Sequence, residues 1–263
     1  MDLGLRGKVA LVVAASQGLG RAIAEELAAE GASIVLCARG EARLREAAHS
    51  IETASGVRVV PMTADVAKLA EVRRLAEAAL AAFGRVDIVV TNSGGPPPGT
   101  FDSTGPEAWQ AAMELLLAGP VELIRALLPG MKERRFGRIL NVTSITVKQP
   151  VENLILSNAL RAAVTGMART LASEVASFGV TVNNLLPGYT RTERLVELAE
   201  SAARRDGTSS ADFYARLERE IPSRRLGDPR ELASLAAYLA SERAGYITGQ
   251  SIAVDGGWIR GLY

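Results

Sequence analysis

"KVALVVAASQGLGRAIAEELAAEGASIVLC", residues 8–37, contains a complete folding unit. A short β-branched apolar run (8–14) meets a glycine pair, Gly18 and Gly20. An alanine-rich helical pattern (18–30) follows, and then a second apolar run (33–37). Strand, tight turn, helix and strand in that order predict a parallel crossover. At such a turn, glycine lets backbone approach a ligand, and the helix N-terminus adds amide donors and a positive dipole end, so a phosphate suits the bend.

The alternation continues along the chain. Apolar runs at 57–61, 86–92, 137–144, 179–187 and 251–257 are separated by helical patterns at 41–54, 67–83, 106–135 and 152–178. The runs are continuous rather than alternating, which predicts strands covered by helices on both faces. The expected fold is α/β: a doubly wound Rossmann domain with a mostly parallel seven-stranded sheet. No compositional break divides residues 1–263, so one domain is expected, with 190–222 as a charged helical insertion on the substrate side. "GDPRELASLAAYLASE" (227–242) restores a strong helix, with an acidic N-cap and Pro229 in its first turn.

Thirty basic and twenty-nine acidic residues leave a net charge of +1, so the totals give no footprint for nucleic acid or an anionic membrane. Cys37 and His49 are the single cysteine and histidine. They argue against an intramolecular disulfide or a Cys/His metal site and fit a reducing, cytoplasmic setting. His49 lies in a charged helical stretch and reads as a solvated position. No apolar run approaches membrane-spanning length; Glu114, Glu122 and Arg125 interrupt the oiliest region.

Five stretches in order resemble the short-chain dehydrogenase/reductase family, nearest to its β-ketoacyl carrier-protein reductase type. The family's T-G-x-x-x-G-x-G pattern falls on residues 13–20, with Ala14 for the first glycine, then Ala15, Ser16, Gln17, Gly18, Leu19 and Gly20. Asp65 and Val66, "TNSGG" (91–95), "PGYTRT" (187–192) and "ITGQSIAVDGG" (247–257) are the other matches. The resemblance implies a bound nicotinamide dinucleotide. Ser16 and Gln17 would lie on its phosphate side, Asp65 and Val66 would bracket adenine, and Asn92, Ser93 and Gly94 would floor the ribose. Pro187, Gly188 and Thr192 would meet the nicotinamide amide. Arg39 stands where an acidic residue would select NAD, which favours NADP(H). Ala14 is harmless at negative φ and crowds the turn at positive φ; weakened rather than abolished binding is expected.

The same resemblance places the family's serine at Ser144, its tyrosine at Ser157, its lysine at Arg161 and its asparagine at Leu116. Ser157 and Arg161 are four apart, on one helix face. A serine hydroxyl is shorter and less acidic than a phenol; Arg161 keeps a positive charge that would still bind the cofactor through its ribose hydroxyls, but an arginine does not relay protons. Leu116 has no polar side-chain atom, so the usual relay is unworkable as written. Tyr189 and Lys148 are the alternative proton donors.

The favoured expectation is an NADP(H)-dependent oxidoreductase acting on a small hydrophobic carbonyl compound or acyl thioester, 3-oxoacyl-like, with altered catalytic residues. The alternatives are a dinucleotide-binding or scaffold protein that has lost the chemistry, and a structural subunit. The family's habit of pairing through two long helices implies a homo-oligomer, either a dimer or a homotetramer, here through 106–135 and 152–178.

Overall fold

The computed structural model describes residues 2–262. Seven strands form one sheet in the order β3-β2-β1-β4-β5-β6-β7, with every pairing parallel. The strands are β1 (Val9–Val13), β2 (Ser33–Ala38), β3 (Val59–Thr63), β4 (Ile88–Thr91), β5 (Gly137–Val142), β6 (Val180–Pro187) and β7 (Ser251–Val254). The chain runs outward from β1 to β3, then returns to place β4 on β1's other side. The sheet therefore reverses its winding between β1 and β4, where open α/β sheets leave a crevice at the strands' carboxyl ends.

Side-chain alternation along β1 divides the core. Ala10 and Val12 pack with Ile23, Leu27 and Leu36 under α1 (Gly18–Ala29), α2 (Glu41–Ser55) and α9 (Pro229–Ala240). Leu11 and Val13 pack with Leu75, Leu123 and Ile139 under α3 (Leu69–Phe83), α5 (Gly119–Glu133) and α6 (Ile155–Val175). With both faces covered, the strands are largely apolar, and the polar side chains on β5 and β6, among them Arg138, Asn141, Asn183 and Asn184, are buried as well.

The helix expected over 106–135 is not continuous. α4 (Pro106–Met113) passes into a wide π turn at Glu114–Ala118 before α5 begins. Such a turn holds one extra residue and often marks a functional position. It carries Leu116. The third strand is shifted two residues from the expected 57–61, and α6 is shorter than 152–178 because residues 176–178 tighten into a 3₁₀ turn. The insertion folds as α7 (Glu193–Asp206) and α8 (Ser210–Glu220), broken within the expected 205–210 segment.

α9 starts with a reciprocal cap. Asp228 Oδ1 accepts from the Arg230 amide at 2.9 Å, and the Asp228 amide donates to Glu231 Oε2 at 2.8 Å. The Arg225 guanidinium, then the Asp228 amide, holds the Glu231 carboxyl down from 4.5 to about 2. A depressed carboxyl contributes stability above its unfolded value and loses it as pH falls through the folded one. Exposure limits that contribution to about 1 kcal/mol or less. The urea midpoint of the natural chain should therefore fall toward that of Glu231→Gln as pH drops from about 5 to about 3; a gap independent of pH would refute the assignment.

Candidate active site

Four loops meet at the crevice, following β1, β4, β5 and β6. After β1, Ala14 has φ +51° and Gly18 φ +58°. The first is unusual for a residue with a Cβ, so the crowded case foreseen for Ala14 is the one adopted. Gly20 is required for a different reason: a Cβ there would lie 2.4 Å from the Ala14 carbonyl oxygen and 2.9 Å from Asn92 Nδ2. Glycine there allows close packing of α1 on the strand ends. Gln17 precedes α1 without capping it, so the first-turn N–H groups have no side-chain acceptor among the described residues, and the nearest side chain to a Gly18 Cβ would be the Glu193 carboxylate, at 3.5 Å. Ser16 and Leu19 flank these N–H groups, half-buried.

At the adenosine end, Gln17 Oε1 accepts from Arg43 Nη1 at 2.7 Å. Arg39 and Arg43 are both exposed, and neither forms an ion pair among the described residues. Two unpaired guanidinium groups beside the bend suit a further phosphate. Arg43 was missed in the sequence, although a second arginine in the first turn of the helix that follows Arg39 was a usable signal. Asp65 Oδ1 accepts from the Ala67 amide at 3.1 Å. Val66 is backed by α5 so tightly that a Cβ on Gly119 would lie 2.0 Å from its carbonyl oxygen. Ser93 and Gly94 continue from Asn92, Gly94 with open space around it.

After β5, Ser144 Oγ accepts from the Thr146 amide at 3.1 Å and caps a 3₁₀ turn, Ile145–Val147. Arg161, on α6, donates from Nε to Ser157 Oγ at 3.2 Å. Its Nη1 donates to the carbonyl oxygens of Val142 (3.0 Å) and Thr143 (2.9 Å). Ser157 and Arg161 are thus tied to the end of β5, where Ser144 follows Thr143 in the chain. Burial, and then the charge of Arg194, lowers the Arg161 guanidinium to about 10, so it stays cationic at neutral pH.

The other expected proton donors stand elsewhere. Tyr189 packs edge-on against Trp258, with ring centroids 5.5 Å apart, in the apolar cluster of the insertion. Burial raises its phenol to about 12, which makes it a weaker acid. Lys148 is exposed at the end of the 3₁₀ turn. Leu116 is 3% exposed, beside Ala112, Leu156 and Leu160.

After β6, Pro187 leads into Gly188, where a Cβ would lie 2.6 Å from Asp255 Cα. Thr192 begins α7 with its methyl group near Gly18. Arg194, unmarked by any motif, reaches back across the crevice and donates from Nη2 to the Pro96 carbonyl oxygen at 2.8 Å. Among the described residues, no helix is long and apolar enough to cross a membrane, and no group of three or more metal-ligating side chains occurs.

Comparison with known proteins agrees with this architecture. The family described as enoyl-(acyl carrier protein) reductase matches residues 13–259. The 3-oxoacyl-[acyl-carrier-protein] reductase FabG of Vibrio cholerae is 37% identical over 255 residues, 97% of this chain and 98% of that protein. The crystal structure of L-sorbose reductase from Gluconobacter frateurii, complexed with NADPH and L-sorbose, superposes with a TM-score of 0.95 at 38% identity, covering 100% of both chains. An actinorhodin polyketide ketoreductase bearing a Phe-to-Trp substitution, solved with NADPH, gives 0.92 at 32% identity over 97% of this chain and 98% of its own. The chain belongs to the short-chain dehydrogenase/reductase family.

The positive φ at Ala14 generates a stability test. Ala14→Gly should raise the thermal midpoint by about 1–4 °C, as relief of left-handed strain outweighs the added unfolded-state freedom. Ala14→Val should lower it. A glycine variant that melts earlier than the natural chain would count against the strained bend.

Proposed function

We propose that the chain is an NADPH-dependent reductase of small 3-oxoacyl-like carbonyl compounds, working with a serine–arginine pair. One observation carries this reading: Arg161 Nε donates to Ser157 Oγ while Nη1 is held by the Val142 and Thr143 carbonyls. With its oxygen accepting from a cation and no protein acceptor for its hydrogen among the described residues, the buried Ser157 hydroxyl is left to donate to a bound carbonyl. Membership in a reductase family and NADPH-bound neighbours support the cofactor half of the proposal.

The residues present fit the dinucleotide: uncapped amides at the α1 N-terminus for the pyrophosphate, and Arg39 with Arg43 for a 2′-phosphate. When bound, the reduced nicotinamide supplies a hydride to the carbonyl carbon. Ser144 and Ser157 hold the carbonyl oxygen, and the Arg161 charge stabilises the negative charge that develops there. Ser157 would pass its proton to that oxygen and recover one from water, while the Arg161 guanidinium stabilises the negative charge throughout. The second reading, a dinucleotide-binding protein without turnover, draws on the strained Ala14 and the apolar Leu116.

The decisive assay is NADPH oxidation with 3-oxoacyl esters and thioesters. Ser157→Ala should lower kcat at least tenfold with little change in NADPH affinity, and Arg161→Met should lower kcat as much and weaken NADPH binding too. Because the cationic form of Arg161 is required, the rate should hold through neutral pH and fall as pH rises through about 10. NADPH binding without turnover of any carbonyl would favour the second reading. For the cofactor itself, the double substitution Arg39→Ala with Arg43→Ala should weaken NADPH binding about tenfold to a hundredfold and NADH binding much less. Equal losses for both would remove the 2′-phosphate assignment.

A further inference from the structure

The first turn of α7 lies across the crevice and touches both of its walls. On the β4 side, Arg194 donates from Nη2 to the Pro96 carbonyl oxygen at 2.8 Å, and its Nη1 lies 3.1 Å from Glu197, a carboxylate that is 65% exposed. A Cβ on Gly95 would meet the Arg194 guanidinium at 2.6 Å, so glycine is what admits it there. On the β1 side, Thr192 and Glu193 rest on Gly18. From the Cβ that Gly18 lacks, Glu193 Oε2 would be 3.5 Å away and the Thr192 methyl carbon 3.7 Å. Adjacent residues thus fasten the turn to one wall and set a carboxylate against the other.

Glu193 is an acid without a base: among the described residues it forms no ion pair and no hydrogen bond. The guanidinium groups that line the same cavity have acids of their own. Arg21 lies 2.8 Å from Glu25, Arg230 3.2 Å from Asp228 and Arg191 3.9 Å from Glu218. α1, in turn, has a positive end without an acid of its own, since its first turn holds no acidic residue and Gln17 does not cap it. A carboxylate is favoured at such an end. The cavity beside both measures about 920 Å³ and is lined in part by Ala22, Leu195, Tyr214 and Leu226. It gives the Glu193 side chain room to withdraw while Arg194 stays on Pro96.

We propose that Glu193 competes with the dinucleotide's pyrophosphate for the N-terminus of α1, and withdraws into this cavity when the cofactor binds. This rests on the dinucleotide-binding half of the reading above and adds what the cofactor displaces. With no side chain at Gly18, either anion can approach the helix end, and two anions there repel. The same carboxylate therefore stabilises the free chain and weakens the complex, a combination that neither a plain helix cap nor a distant surface charge produces.

The test titrates NADPH into the chain by nicotinamide fluorescence, with no carbonyl compound present, and separately melts the free chain. Glu193→Gln keeps the shape of the side chain and removes its charge. It should tighten NADPH binding about threefold to tenfold and lower the thermal midpoint of the free chain by about 1–3 °C. Glu197→Gln removes an equal charge from the exposed side of the same helix and should shift NADPH binding by less than about twofold. Unchanged or weaker binding by Glu193→Gln would overturn the proposal and leave the reductase reading intact. So would tighter binding without the lower midpoint, or an equal gain in Glu197→Gln. NADPH bound by neither the natural chain nor Glu193→Gln would remove the competition and the reductase reading together, whereas binding without turnover of any carbonyl would remove that reading alone.

Discussion

The crevice depends on how closely α1 approaches the carboxyl ends of β1 and β4. At Gly20 a single added carbon would lie 2.4 Å from the Ala14 carbonyl and 2.9 Å from Asn92, distances no side chain tolerates. That contact sets the helix directly above the strand ends, which aims its uncapped amides into the gap between β1 and β4. The bend before it must then turn sharply, and the positive φ at Ala14 and Gly18 is the geometric result. A left-handed alanine costs about 1–2 kcal/mol. Packing of β1 on both faces of the sheet is what maintains it.

The second organising contact is Arg161. Where a lysine ammonium would be a mobile point charge, the guanidinium fork binds two carbonyls and a hydroxyl at once. α6 and the end of β5 are joined through it, and Ser157 is held beside the loop that carries Ser144. The same fork that makes Arg161 a poor proton carrier makes it a good brace. The proposed chemistry therefore draws on fixed charge and orientation at Arg161, with Ser157 as the proton donor.

The sheet and its helices were legible because the apolar runs and helical patterns alternate without exception, and both faces of the strands are oily. The three-dimensional role of individual residues was less so. That Gly20 serves packing while Gly18 serves backbone conformation depends on the positions of Ala14 and Asn92, which the spacing of glycines does not encode. The break at Glu114–Ala118 was hidden because a π turn keeps the composition of the helix around it. Tyr189 was a reasonable acid by position in the chain, but Trp258, nearly seventy residues later, determines its surroundings. Arg43 and Arg194 matter through what they reach, Gln17 and Pro96, and long side chains reveal their partners only in space.

The wide turn ahead of α5 also governs phase. Each residue advances an α-helix by about 100°, so one surplus position rotates everything downstream by more than a quarter turn. In that rotated setting Leu123, Leu127 and Met131 face the sheet, and Gly119 sits flush against Val66. Shortening the segment by one residue would restore ideal winding yet swing this stripe toward water. The irregularity thus acts as a gear tooth, meshing a long helix with the sheet at one angular setting.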